Sequence, residues 1–216
     1  MIKRLKRKLH LMSKIILDLC GGTGSWSKDY EEAGYIVINI TLPFYDVLET
    51  VIFANYIIFK GGNKDPLMVL INDIYGILAA PVCTQFCFAR TRAKTPRNLR
   101  DGMKLVIACL NIIWECRYDH KLAFWCLENP TGYLRQFLGK PVFTFDPCDY
   151  GDLYTKKTDL WGYFNIPLKD PGKTAMNYWK KYGKLPSISD FTSSKQKDKR
   201  AITPPGFAKA FFEANK

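Results

Sequence analysis

The chain has 216 residues and a formal net charge of +12, a length that suits one large domain better than two. Hydrophobic residues make up 47% and charged residues 24%, enough apolar material for a packed core without disulfide staples, which excludes wholesale disorder. The longest strongly apolar stretches without charge, Val51 to Phe59 and Leu105 to Trp114, fall short of the roughly 18 residues a helical bilayer span needs, which excludes an integral membrane protein.

In chain order, the opening MIKRLKRKLHLMSK resembles the charged start of a secretory signal. Lys14 and Asp18 interrupt what would be its apolar region, so export is not expected. Residues 1–13 read as a basic extension: positions 1–14 hold six Lys/Arg and no acid, leaving +6 for the remainder. Lys14 to Cys20 (KIILDLC) is an apolar run of strand length, followed by Gly21, Gly22, Thr23 and Gly24. SWSKDYEEAG then reads as a helix with Ser25 near its cap, and Tyr35 to Thr41 as a β-branched strand stopped by Pro43. Strand, glycine turn, helix and strand make a βαβ unit, so the predicted fold is doubly wound α/β with a mostly parallel sheet and helices on both faces.

Val47 to Phe59 fits a helix or a strand equally well, and GGNKDP at 61–66 is a loop. Tyr75 to Ala80 is a buried-strand pattern ending at Pro81. Met103, Val106, Ile107, Leu110, Ile113 and Trp114 recur at helical spacing, with Leu105, Cys109 and Ile112 on other faces, so this helix should cover the sheet. Leu122 to Leu127 is the next strand and meets Glu128, Asn129 and Pro130. Short strands come next at 142–145 and 160–164, then a Lys-rich stretch and a final helix entered through Pro204 and Pro205.

Seven cysteines with no CxxC pair indicate a reducing, cytoplasmic compartment. Two distant histidines, His10 and His120, give a metal site little to be built from. Basic clusters at Arg90, Arg92, Lys94, Arg97, Arg100 and Lys104, and at Lys195, Lys197, Lys199 and Arg200, lie on a chain that is 14% aromatic. That combination suits phosphate contacts and base stacking, although a charge run also serves as a merely solvated face.

Ligands of parallel α/β sheets bind beyond the carboxyl ends of the strands, which gives priority to Asp18 to Gly24, Asp46, Pro81 to Cys87 and Glu128 to Pro130. DLCGGTG lacks both the spaced third glycine of a dinucleotide fingerprint and the GK[ST] of a triphosphate loop, so it fits a smaller nucleoside cofactor or a plain tight turn. Asp46 could accept from an adenine amino group or cap its own turn. Cys83 could be a nucleophile if cations from Arg90 onward stabilise its thiolate, or inert packing like Cys87. Glu128, buried at a strand end, would have a raised pKa suited to donating to a ring nitrogen; its structural alternative is to cap a helix starting near Thr131.

In chain order DLCGGTG, PVCTQFC, ENP, YTKKTDLWG and AITPPGFAKAF resemble the motifs of the cytosine-C5 DNA methyltransferase family, particularly its compact bacteriophage and bacterial members, over most of Ile15 to Asn215. The resemblance implies a Rossmann-like methyltransferase domain over 14–216 with a reduced target-recognition region at about 165–200. It implies S-adenosylmethionine held by Asp18, Cys20, Gly21, Gly22, Thr23, Gly24, Thr41, Asp46, Pro81 and Thr203. Cys83 matches the nucleophile that adds to C6 of an extruded cytosine, Glu128 the acid at N3, Asn129 the residue that holds this loop, and Lys157 an arginine near the target base. Cytosine-containing DNA is the implied partner, contacted by Arg90, Arg92, Lys94 and Arg97, with no membrane, no metal and a monomeric state. Modification of phage or host DNA against restriction is the implied purpose.

The chain departs from the family pattern at Val82, where a second proline is usual, at Cys87, where a hydroxyl is usual, at Cys20, where an aromatic is common, at Thr41, where an acid is expected on the ribose, and at Asp159, which takes the place of a second arginine. Two other readings are a nucleic-acid-binding homologue with impaired turnover and a C5 methyltransferase acting on RNA or single strands.

Overall fold

The computed structural model describes residues 14–88, 90, 93–118, 122–190 and 201–216. The basic extension, Arg92, both histidines and the cluster at 195–200 lie outside the described residues. The main sheet has six strands: β1 (Ile15–Leu19), β2 (Ile36–Ile40), β6 (Ile74–Ala79), β7 (Phe124–Pro130), β8 (Phe143–Phe145) and β9 (Thr158–Tyr163). Their order is β2-β1-β6-β7-β9-β8. The first four run parallel, whereas β9 is antiparallel to both β7 and β8. The chain is therefore α/β with a mixed, mostly parallel sheet.

β1 and β6 read as almost unbroken apolar runs because both of their faces are covered. Alternate side chains enter two cores. Leu17, Leu19, Ile77, Ala79 and Leu127 pack under helix α2 (Leu99–Tyr118), and Ile16, Leu78, Phe124 and Cys126 pack under α1 (Lys28–Ala33) and the C-terminal helix α5 (Pro205–Asn215). Helices thus lie on both faces. The α2 stripe differs from the expected one: Val106, Cys109, Ile112, Ile113 and Cys116 are buried, whereas Ile107 and Trp114 are 49% and 63% exposed. Cysteines at 109 and 116 act as small apolar residues where helix meets sheet.

Val47 to Phe59, equally suited by sequence to helix and strand, belongs to a second sheet of β3 (Asp46–Ile52), β4 (Tyr56–Lys60) and β5 (Leu67–Leu70), all antiparallel. Its Val47, Ile57, Phe59 and Val69 share the α2 core. A small sheet, not a helix, therefore makes the crossover from β2 to β6. The hairpin turns at Ala54 and Asn55, closed by Phe53 N–H donating to the Tyr56 carbonyl at 2.9 Å, without the glycine that would have announced it.

Two further helices, α3 (Arg135–Leu138) and α4 (Gly172–Tyr182), complete the fold. α4 lies in the stretch expected to hold the reduced recognition region. Asp159, in the position where the family pattern has an arginine, is fully buried on β9. It accepts from Arg135 Nε at 2.6 Å, and its other oxygen from Arg135 Nη2, Thr131 Oγ1 and Thr144 Oγ1. A bidentate guanidinium plus two hydroxyls meets the requirement of a buried carboxylate and joins the β7, β8 and β9 ends.

Phe211 of α5 is enclosed by Trp26, Phe124, Phe164 and Phe207 at centroid distances of 5.4–5.8 Å. Phe211→Ala should destabilise the fold by about 3–5 kcal/mol, the usual cost of removing a buried ring, read as a lower urea midpoint. An unchanged midpoint would show that α5 does not seal this face.

Candidate active site

A cavity of about 450 Å³ opens at the carboxyl ends of the parallel strands, within the size range of small-molecule sites. It is lined by Asp18, Cys20, Gly21 and Gly22 from the end of β1, Thr41 and Asp46 after β2, Pro81 and Cys83 after β6, Glu128 of β7, and Thr203 before α5. These ten expected residues are brought together. Thr23 and Gly24 instead line a separate pocket on the outer side of the turn, with Ser25, Ser27 and Asn39. Asn129 and Lys157 are not in the lining.

The turn after β1 is built on its backbone. Cys20 has φ 58° and Gly22 φ 55°, left-handed values that glycine adopts freely and cysteine does not. Space above Gly22 is open, whereas a Cβ on Gly21 would lie 2.3 Å from Asp18 Cγ. Asp18 thus sits directly beneath the turn. Its Oδ2 accepts from Ser27 Oγ at 2.6 Å, and its Oδ1 is buried without a partner among the described residues. Burial pushes this carboxyl up to about 6, with the Ser27 bond opposing. The Ser25 hydroxyl does not cap α1; it accepts from Thr203 N–H at 3.1 Å, binding the chain before α5 to the cavity rim.

Cys83 opens a short 3₁₀ turn after β6, and its carbonyl accepts from Phe86 and Cys87 N–H, both at 2.9 Å. Asn129 is fully buried, and its Nδ2 donates to the Pro81 carbonyl at 2.8 Å. That bond ties the end of β7 to the loop that carries Cys83. The thiol is pushed up to about 11, first by burial and then by the Glu128 charge, with Lys156 opposing. Glu128 is itself raised, by burial first; Lys156 lowers it and Asp159 raises it. Lys156 Nζ lies 3.9 Å from Glu128 Oε1.

The cation in this cavity is Lys156, not the expected Lys157, which is exposed and whose charge acts on Asp146. Neighbouring residues of an extended segment point to opposite sides, so of two adjacent lysines one lines the cavity and the other faces outward. Arg90 and Arg97 do not supply the thiolate's cation either. Arg90 donates to Gln85 Oε1, Thr95 Oγ1 and the Pro96 carbonyl; Arg97 donates to the Gln85 and Cys87 carbonyls and stacks over Tyr133 at 5.0 Å. They are the internal struts of the 83–97 loop. Lys94 is exposed. Asp46 lines the cavity and accepts from Leu48 N–H at 2.9 Å, so it caps its own turn from a position at the cavity wall. Glu128 does not cap a helix; residues 131–134 form a turn before α3. Trp26, Tyr45 and Leu105 also line the cavity; Leu105 lies in the apolar pattern of α2, and none of the three belongs to a motif that pointed to a site.

Among the described residues, no group of three or more His, Cys, Asp or Glu could hold a metal ion, and no helix is long and apolar enough to cross a membrane. No protein-family model matches the chain, and no curated protein matches it significantly.

Asp18, raised to about 6 from its ordinary 3.8, contributes stability that is complete below pH 3.8 and is lost as pH rises through 6. Asp18→Asn should therefore gain stability over wild type as pH rises from about 4 to 6, levelling off above about pH 7 at about 3 kcal/mol; a pH-independent difference would contradict a buried, ionising Asp18. For Cys83, Glu128→Gln should speed iodoacetamide labelling and Lys156→Gln slow it, each by roughly threefold to tenfold at pH 8. Peptide mapping reports the site. Equal rates in all three proteins would separate the thiol from both charges.

Proposed function

We propose that the protein transfers a methyl group from S-adenosylmethionine to C5 of cytosine in DNA, on a Rossmann-like methyltransferase core. One observation carries the reading: a thiol from the β6 loop and a carboxyl from the end of β7 line a single cavity beside the glycine turn of β1. The motif order that resembles the cytosine-C5 methyltransferases fits this convergence.

The cofactor is compatible with the residues present. Asp18, Asp46 and Glu128 face one lysine in the lining, which favours a cationic ligand. The open space over Gly22 lets a nucleoside approach the backbone, and the half-buried Tyr45 ring offers apolar surface in the lining. Asp18, Gly21, Gly22, Thr41, Asp46 and Thr203 would hold it. Bound there, S-adenosylmethionine supplies an electrophilic methyl group on a positively charged sulfur.

The chain's own groups do the rest. A stacked base exposes neither face of C5 and C6, so the target cytosine has to leave the duplex and enter the cavity. Glu128, raised by burial, is suited to be protonated and to donate to N3, which makes C6 electrophilic. A neutral Glu128 also removes the charge that opposes ionisation of Cys83, while Lys156 continues to favour the thiolate. The Cys83 thiolate then bonds to C6, and the ring's electron density moves to C5, where the bond to the methyl carbon would form as the methyl–sulfur bond breaks and its electron pair stays on sulfur as a neutral thioether. Loss of the C5 proton to a base and breakage of the C6–S bond restore the aromatic ring and the free thiol. Asn129 keeps the Cys83 loop against β7 throughout.

A duplex containing 5-fluorocytosine tests this, because fluorine cannot leave as a proton does. With cofactor present, wild type should form a denaturation-resistant adduct that maps to Cys83 and is absent in Cys83→Ser. Glu128→Gln should lower methyl transfer by about 10²–10⁴, the usual contribution of a positioned acid. Absence of an adduct with wild type, or its persistence in Cys83→Ser, would overturn the reading.

A further inference from the structure

We propose that α4 is the surface that grips the DNA backbone, in place of the arginine loop at 90–97; this rests on the reading of the cavity as a DNA methyltransferase site. Residues 172–184 carry four lysines, 173, 180, 181 and 184, and no acid. At 100° per residue, Lys173, Asn177, Lys180 and Lys181 share one side of the helix, opposite Ala175 and Tyr178. Ala175 is the one buried residue of α4 and Tyr178 is half-buried, so the helix rests on that side and turns its lysines outward. All four lysines are exposed. None forms a carboxylate ion pair among the described residues.

A helix of eleven residues that buries one of them contributes little to the core. A row of outward lysines on it is instead complementary to a polyanion. Its position fits the same role. Just beyond α4, Thr155 N–H donates to the Pro186 carbonyl and Ile188 N–H to the Thr155 carbonyl, both at 2.9 Å. Thr155 directly precedes Lys156 of the cavity lining. The segment that follows the basic helix is thus strapped to the stretch just before β9 that delivers Lys156, where a polymer feeding one base into the cavity would pass. Arg90 and Arg97, by contrast, are engaged in holding their own loop.

Each lysine that neutralises a phosphate adds about 0.9 to the steepness of the log–log dependence of affinity on salt. The test compares wild type, Lys173→Gln/Lys180→Gln/Lys181→Gln, and a charge-matched control, Lys28→Gln/Lys209→Gln/Lys216→Gln, on α1, on α5 and just after α5. Each is titrated with a 30-base-pair cytosine-containing duplex from 50 to 200 mM salt, with S-adenosylhomocysteine affinity and melting temperature measured alongside. The α4 variant should lose about 2 to 3 from the slope and at least tenfold in affinity at 100 mM salt, with cofactor-product affinity and melting unchanged; the control should lose less than half as much. If wild type transfers methyl groups while the α4 variant keeps its slope and affinity, or the control loses as much, the inference fails and the catalytic reading stands. If wild type neither binds the duplex nor methylates it, both fail. Lysine-dependent binding to vesicles of phosphatidylserine and phosphatidylcholine in preference to the duplex would also overturn it, assigning α4 to a lipid surface.

Discussion

A single buried hydrogen bond, from the Asn129 amide to the Pro81 carbonyl at 2.8 Å, decides whether this chain has a candidate active site. β6 and β7 are adjacent parallel strands, and the segments leaving their carboxyl ends could diverge once the ladder stops. The bond closes that gap in a place where an unmade partner is costly, and it holds the Cys83 turn beside Glu128. Asp159, saturated by Arg135, Thr131 and Thr144, fixes the other flank of β7. The rigid sheet thereby presents a thiol and a carboxyl to one cavity, and reactive groups on rigid supports need little reordering when a substrate arrives.

Electrostatics set what that cavity can hold. Three carboxyl groups face one lysine, and burial raises both Asp18 and Glu128. Burial and the Glu128 charge push the Cys83 thiol up to about 11, which favours its protonated form. A cationic methyl donor and a neutral Glu128 each shift that balance toward the thiolate, so the nucleophile would be activated chiefly when the site is filled. In the proposed reaction, such coupling would protect Cys83 from unproductive chemistry while keeping it available for methyl transfer.

Much of this was legible in the sequence because local pattern and global position agreed. An apolar run ending in glycines gave β1 and its turn, prolines marked the ends of β2 and β6 and the start of α5, and residues after strand ends were the right places to look. Legibility failed where tertiary contacts decide. Val47 to Phe59 has no glycine at its hairpin turn, so only packing against α2 shows it to be two strands. Lys156 and Lys157 are equivalent in composition, and only the direction of the backbone tells which one reaches Glu128. Arg90 and Arg97 look like phosphate ligands until their carbonyl and amide partners are seen. Asp159 looks like a damaged contact until its partners show it to be a structural hub. α4 is too polar for a core pattern to reveal, and its strap to Thr155 joins residues about thirty positions apart.

If Cys83 and Glu128 act jointly on cytosine as proposed, the product is a chemical mark that can be read on the DNA itself. Duplex DNA is incubated with the purified protein and S-adenosylmethionine carrying a deuterated methyl group, digested to nucleosides and analysed by mass spectrometry. Wild type should yield labelled 5-methyldeoxycytidine, and Cys83→Ser should yield none. Label on adenine or on the cytosine amino group, or no label with a folded, cofactor-binding wild type, would contradict a thiol and a carboxyl working on one pyrimidine.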